Sequence, residues 1–451
     1  MWSLIEESKI DNFVNKYPKL KDFKNDIKLL NYGKYIFLPK FTYLNNPHPD
    51  IIQYRNPNFK ENEITDIKFE KPLREEQIGM VAPFLQMYNV SNIMTGCLKA
   101  RPGAGKTVMG IYLACYIKKV CLILINNTNL ADQWKNTILN FTNCTEDDIG
   151  EIRSSKFDTE NKKFIIATVQ TFCSKIKRDA STFYNKVSQI GIGCVLYDEC
   201  HHSISGPKYA LSSLILDTNN IIGLSATPYV FGLHEFLMSN TVGQIISDTT
   251  NYNLVPKITI IKFNSNLNDK VVKSLSFSKD LIKIRARYNS VIVNSQEYMN
   301  VITSLNKSLL NKGHRLINIL FTKQQVNLVS EYLLLNGIDN IKYYSEQREL
   351  NKETDKNLVA TYQFAGEGFD YSQLSACLIA IPLTGKKSLI QVIGRVLRSH
   401  SDKISPEVII LVDTRIGNTF TRDIPKISNV ITEEFKITPN VMTWEQYKLN
   451  K

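Results

Sequence analysis

The chain has 451 residues, 43% of them hydrophobic and 22% charged, with a net charge of +12. That is length for about three domains and enough apolar mass to bury sizeable cores, which excludes a disordered chain. No apolar run approaches the roughly 18 residues of a spanning helix, and the acidic N-terminal MWSLIEESK is unlike a secretory leader.

The positive excess favours a polyanionic partner. It is spread along the chain: +1 over residues 1–70, +4 over 71–230 and +7 over 231–451. Such a spread fits a phosphate-backbone track better than a basic tethering tail. The eight cysteines contain no C-x-x-C pair, and most lie in apolar runs such as KKVCLILI and GCVLYD. Buried, reduced thiols in a soluble cytoplasmic protein are expected, with no membrane association. Cys200-His201-His202 has nothing nearby to complete four metal ligands, so a zinc site is disfavoured.

Residues 1–70 mix aromatics, prolines and charges and are read as a small N-terminal α+β module. From residue 71 short apolar runs alternate with helix-length amphipathic segments. VCLILI (120–125), FIIAT (164–168), CVLYD (194–198) and IIGLSAT (221–227) are predicted strands. Each is nearly all apolar, as strands covered on both faces of a parallel sheet must be. The pattern returns in VPKITIIKF, LINILF (316–321), NLVATY (357–362), ACLIAI (376–381) and VIILVD (408–413). The predicted class is α/β, with two doubly wound parallel-sheet domains over 71–250 and 251–451.

Ala100–Thr107 reads ARPGAGKT, a P-loop with Ala100 in place of the first glycine. Arg101, Pro102, Gly103, Ala104 and Gly105 form the loop, whose glycines let backbone N–H groups face phosphate oxygens. Lys106 is placed to reach the β- and γ-phosphates, and Thr107 to offer a hydroxyl to Mg²⁺. The helical segment that follows points its N-terminal dipole the same way. CVLYDECHH then sets Asp198 and Glu199 at the carboxyl end of a buried strand, where ligands collect in open α/β sheets. Two carboxylates there are costly unless they meet a cation or a reacting water. Asp198 is expected to hold Mg²⁺, Glu199 to orient and deprotonate the attacking water, and His201 to relay the nucleotide state to neighbouring loops.

ARPGAGKT, DECH, SAT and QVIGRVLR stand in that order over residues 71–415, and the set resembles the superfamily 2 helicases. The resemblance implies two RecA-like domains with ATP and Mg²⁺ between them. It also implies roles for further residues. Arg74 and Gln77 of LREEQ fall in the adenine-side element, with Gln77 on the base. LADQW (130–134) is similar to motif Ia, and Ser225-Ala226-Thr227 to the motif that couples hydrolysis to domain movement. Thr168 and Gln170 of IATVQTF approach the nucleic-acid backbone. In TYQFAGEGFD, Thr361 touches phosphate while Gly368 and Asp370 face the nucleotide. Gln391, Arg395 and Arg398 form the last motif; the two arginines, three apart on a helix, share a face and act as fingers on the γ-phosphate. Lys175, Lys177 and Arg178 are a second phosphate patch. In LIKIRARY (281–288), alternation of Lys283, Arg285 and Arg287 fits one face of a strand on the track, or a solvated edge strand.

Within the superfamily the nearest resemblance is to phage branch-migration (UvsW-type) helicases, then to poxvirus transcript-release and XPB-like helicases. It implies an ATP-driven helicase or translocase on branched DNA. The alternatives are a helicase that displaces RNA from transcription complexes, and an ATP-switched clamp or sensor that does not unwind.

Overall fold

The computed structural model describes residues 2–24, 31–32, 34–54, 59–153, 156–204, 207–228, 232–249, 254–276, 280–344, 356–362, 371–398, 400, 403–416 and 418–449. The chain divides into two compact units, one of Met1–Ala100 and Ala104–Thr249, the other chiefly Thr250–Lys451.

The first unit opens with β1 (Trp2–Glu6), β2 (Asn31–Tyr32), β3 (Tyr35–Leu38) and β4 (Ile51–Tyr54), an antiparallel sheet in the order β2-β3-β1-β4. Its apolar side, with Ile5 and Leu38, and the helix Ile10–Lys16, with Phe13 and Val14, share one core with Ala210, Leu233 and Leu237 of the following domain. The Phe41 N–H donates to Asn240 O at 2.7 Å, and the Asn45 and Asn46 amides both reach Asn240 Oδ1. Lys40, 3% exposed, donates through Nζ to Thr218 O at 2.8 Å. The N-terminal sheet is therefore a docked part of the first unit.

The parallel sheet follows: β5 (Thr95–Ala100), β6 (Cys121–Ile125), β7 (Ile149–Ile152), β8 (Phe157–Asp158), β9 (Phe164–Thr168), β10 (Cys194–Asp198), β11 (Ile221–Ser225) and β12 (Ile245–Thr249). Their order is β12-β5-β11-β10-β6-β9-β7-β8, parallel throughout except for the final β7–β8 pair. The four strands predicted by their apolar runs are present. β5 was not among them, because Gly96 and Lys99 break its run; Lys99 is 4% exposed and ion-paired with Asp248 at 2.9 Å. Packing of this domain begins before residue 71. Ile64 and Ile67 lie in its core, and Asn62 and Ile64 hydrogen-bond to the backbone of Gly191, Val120 and Lys118.

The second unit carries β13 (Lys257–Phe263), β14 (Leu316–Leu320), β15 (Ile341–Tyr343), β16 (Asn357–Thr361), β17 (Ala376–Ile379), β18 (Glu407–Asp413) and β19 (Asn440–Thr443). They form a wholly parallel sheet, β15-β16-β14-β17-β18-β13-β19. Asn318, 1% exposed in β14, would be costly alone. Its amide is satisfied by Asn306 Oδ1 at 3.0 Å and Asn357 Oδ1 at 2.9 Å. The architecture is that of two RecA-like α/β domains, with the small α+β sheet added to the first.

LIKIRARY departs from expectation. Leu281–Val291 is a helix, capped by the Asp280 carboxylate, which accepts from the Ile282 and Lys283 N–H groups. A two-residue alternation does not share a face on a helix, so the three cations separate. Lys283 and Arg287, four apart, stay exposed. Arg285 turns inward, to Asp423 Oδ2 at 2.6 Å, Thr384 Oγ1 at 2.5 Å and Pro382 O at 3.3 Å. It is a structural cation and not part of a basic stripe.

Two predictions test this packing. Burial lowers the Lys40 pKa to about 7, outweighing the attraction of Asp217 and Glu61. The unfolded chain then binds more protons than the folded one from about pH 7 up to the ordinary lysine value near 10.4. Stability of the first unit should rise as pH increases through that window, and Lys40→Met should remove the increment in denaturant unfolding. Arg285→Ala strands Asp423, which is 4% exposed, and should cost about 3 kcal/mol in unfolding of the second unit. Nucleic-acid affinity of the folded variant should not change in a filter-binding titration.

Candidate functional site

The nucleotide site grows from the carboxyl edge of the first parallel sheet. β5 ends at Ala100; Arg101–Gly105 turn the chain, and the helix Lys106–Ile117 starts at once. The turn needs its glycines, with Gly103 at φ +83° and Gly105 at φ +86°. A Cβ on Gly105 would also sit 2.3 Å from Gln77 Nε2. The loop is braced from the helix Glu75–Ser91. Arg74 donates to Ala104 O at 2.5 Å, Gln77 Nε2 to the same oxygen at 2.9 Å, and Gln77 Oε1 accepts the Arg74 N–H at 3.0 Å. The predicted adenine-side pair thus grips the apex of the P-loop.

β10 lies two strands from β5, separated by β11. It delivers Asp198 at its last position, and Glu199 follows at φ +45°. A non-glycine residue there stores about 1–3 kcal/mol of strain. Lys106 Nζ is 4.0 Å from Glu199 Oε1 and 3.4 Å from Ala100 O, so cation and carboxylates meet at one edge. Asp198 is buried, with Oδ1 accepting the Glu199 N–H at 3.0 Å and Oδ2 the Trp134 indole N–H at 2.9 Å. Burial, reinforced by the Glu199 charge, raises its carboxyl well above the usual range, against the opposing pull of Trp134 and Lys106. Thr107 and Asp198 are hard oxygen donors beside a phosphate-binding lysine, a set that fits Mg²⁺ bound partly through phosphate oxygens. Among the described residues no cluster of three or more His, Cys, Asp and Glu could cage a metal without such help.

His201, 6% exposed, joins two motifs. Its Nδ1 lies 2.6 Å from Ser225 Oγ and 3.4 Å from Glu199 Oε2. Ser225 Oγ also accepts the Thr227 N–H at 3.0 Å. DECH and SAT are therefore one hydrogen-bonded unit. Cys200 is fully buried, its Sγ 3.7 Å from Cys97 Sγ, in space left by Gly223, whose Cβ would fall 2.9 Å from that sulfur.

The predicted nucleic-acid residues are less uniform. Thr168 ends β9 and caps the helix Val169–Arg178, accepting the Thr171 N–H, while Gln170 donates to Asn126 O. Both sit at the carboxyl edge beside the end of β6, and Lys175, Lys177 and Arg178 lie in the last turn of that helix. In the second unit Thr361 ends β16, while Gly368 and Asp370 lie outside the described residues. Gln391 and Arg395 belong to the helix Lys386–Arg395. Arg398 does not: the helix ends at Arg395, and Val396 and Leu397 close tight turns back to Ile393 and Gly394. The place of Trp134 in LADQW gives no hint that its indole N–H faces Asp198.

Residues 70–230 match the family described as type III restriction enzyme, res subunit. The chain is 25% identical to "Putative ATP-dependent RNA helicase L396" of Acanthamoeba polyphaga mimivirus, over 94% of this chain and 79% of that one. It is 32% identical to a DNA 3'-5' helicase XPB of Kineococcus radiotolerans, over 28% of this chain and 22% of the other. In fold it is similar to S. cerevisiae Dbp5 bound to RNA and ADP BeF3, with a TM-score of 0.56 at 14% identity over 84% of this chain and 96% of that one. Together with the linked P-loop, DECH and SAT motifs, these likenesses make the chain similar to the superfamily 2 helicases. It is a nucleic-acid-dependent ATPase. Among the described residues no helix is long and apolar enough to cross a membrane.

Disconnecting the linked motifs should be measurable. His201→Ala leaves Ser225 without its ring partner, so it should reduce nucleic-acid stimulation of ATP hydrolysis by about tenfold while ATP binding is largely kept. Paired ATPase and nucleotide-binding assays check this.

Proposed function

We propose that this chain is an ATP-driven DNA helicase or translocase that acts on branched DNA, forks and four-way junctions, in replication, recombination and repair. In this reading it works in the manner of the phage branch-migration helicases. The observation that carries the motor reading is the continuous contact from P-loop lysine to Glu199, His201 and Ser225 within one unit. DNA as the track is supported by the restriction-enzyme family match and by the XPB relative.

Lys106 binds the β- and γ-phosphates. Thr107 and Asp198 would hold Mg²⁺, which would offset the charge on the phosphate oxygens. Glu199 orients the attacking water and accepts its proton. His201 passes the state of that site to Ser225 and Thr227. Gln391, Arg395 and Arg398 belong to the second unit's part of the chemistry, with the arginines countering charge at the γ-phosphate. Gln77 and Arg74 report on the base through their grip on Ala104. Thr168, Gln170, Lys175 and Thr361 contact the phosphate backbone, and the exposed Lys283 and Arg287 add sequence-independent affinity.

The mimivirus relative, named as an RNA helicase and matched over nearly the whole chain, favours a second reading in which RNA is displaced from a hybrid. One comparison separates the two: ATPase stimulation and strand displacement on single-stranded DNA, forks, four-way junctions and RNA–DNA hybrids. Branched DNA should give the highest turnover; a clear preference for hybrids would overturn the proposal. Lys106→Ala and Glu199→Gln should each abolish stimulated hydrolysis with the fold intact by circular dichroism.

A further inference from the structure

The sequence gives Trp134 no chemical role, and its position near the start of the helix Asn129–Phe141 reads as ordinary core. The structure places it differently. Trp134 is 1% exposed, and its indole N–H donates to Asp198 Oδ2 at 2.9 Å. The ring also meets the P-loop helix. Gly110 of Lys106–Ile117 comes so close that a Cβ there would lie 3.5 Å from Trp134 Cη2 and 2.9 Å from Leu224 Cδ1. One side chain therefore touches the helix that begins with Lys106 and Thr107 and also the carboxylate at the end of β10.

Indole suits that place. It is a donor only, so it cannot take Asp198's role as an acceptor, and it does not titrate. Its apolar body lies in the same buried core as Leu196 and Leu224 and adds no charge beside Lys106. A lysine or arginine in its place would hold the carboxylate by charge and compete with a cation. A leucine would leave Oδ2 buried without this donor. With Oδ1 accepting the Glu199 N–H, the two donors fix the plane of the carboxyl group.

We propose that Trp134 is a positioning residue for hydrolysis: its N–H holds the Asp198 carboxylate in the orientation that receives Mg²⁺, at a set distance from the P-loop helix. This rests on the assignment of Asp198 to Mg²⁺. The donor acts only through Asp198 and does not touch the reacting atoms. Its loss weakens divalent-cation binding to the nucleotide-loaded site while leaving the nucleotide's own contacts with Lys106 in place.

The test uses the full chain. Trp134→Phe removes the N–H together with some ring volume. Benzothienylalanine at the same position keeps the bicyclic shape and lacks the N–H. Mn²⁺ binding is measured by electron paramagnetic resonance in the presence of ADP, alongside the Mg²⁺ dependence of ATP hydrolysis. Both variants should raise the half-saturating Mn²⁺ and Mg²⁺ concentrations by about tenfold. The KM for ATP at saturating Mg²⁺ should change little. Unaltered cation affinity in the benzothienylalanine protein overturns the proposal, because shape is then all that Trp134 supplies. A parallel rise in ATP KM also overturns it, by pointing to a general disturbance of the P-loop. Asp198→Asn serves as the reference: full Mg²⁺-dependent turnover in that variant would remove the site assignment itself, an outcome distinct from failure of Trp134 alone.

Discussion

A buried carboxylate is the constraint on which the rest of the first unit depends. Asp198 ends a strand whose every residue is buried, and the adjacent Glu199 adds a second negative charge. Such a pair persists only where fixed donors and a cation surround it. Each neighbour answers that need. The Glu199 N–H and the Trp134 indole take the two oxygens of Asp198, and Lys106 stands beside Glu199. Even the strained backbone of Glu199 follows, since it turns the chain so sharply that Cys200 goes under the sheet and His201 meets Ser225. The geometry that makes this edge costly to an isolated protein is the geometry that favours a metal-bound triphosphate.

The scaffold holds these groups by simple means. Parallel strands covered on both faces are apolar along their length, so polar residues at their carboxyl ends stand out and converge. Lys106, Asp198, Thr168 and Ser225 all occupy or adjoin such ends. The bracing of Ala104 O by Arg74 and Gln77 extends the arrangement to a helix that precedes the sheet. A change in the loop therefore bears on residues far from it in sequence.

Much of this was legible in the amino-acid order. The apolar runs mark most central strands, and ARPGAGKT and DECH mark their catalytic ends. What stayed hidden has physical causes. β5 is broken by a lysine whose charge is neutralised by Asp248, a partner 149 positions away. LIKIRARY alternates like a strand, but Asp280 caps it as a helix and Asp423 draws Arg285 inward. Arg398 lies beyond the end of the helix that carries Arg395, where tight turns replace the α-helical ladder. Trp134 is invisible as a functional residue because its partner is brought near only by the pairing of β6 with β10. Local pattern reports what a segment does with its own neighbours; these residues are decided by distant ones.

The N-terminal sheet has a practical consequence for anyone dissecting the protein. Its core is completed by Ala210, Leu233 and Leu237, side chains that belong to the motor domain. Cutting the chain after β4 would not free a spare module. It would open a greasy scar on the helix that carries Leu233 and Leu237, and remove the partners of Asn240 as well. Loss of activity in such a truncation would report on solubility before it reported on substrate choice. Single surface changes on the sheet's outer side are the cleaner instrument, since they alter what the module offers to solvent and leave its foundation in place.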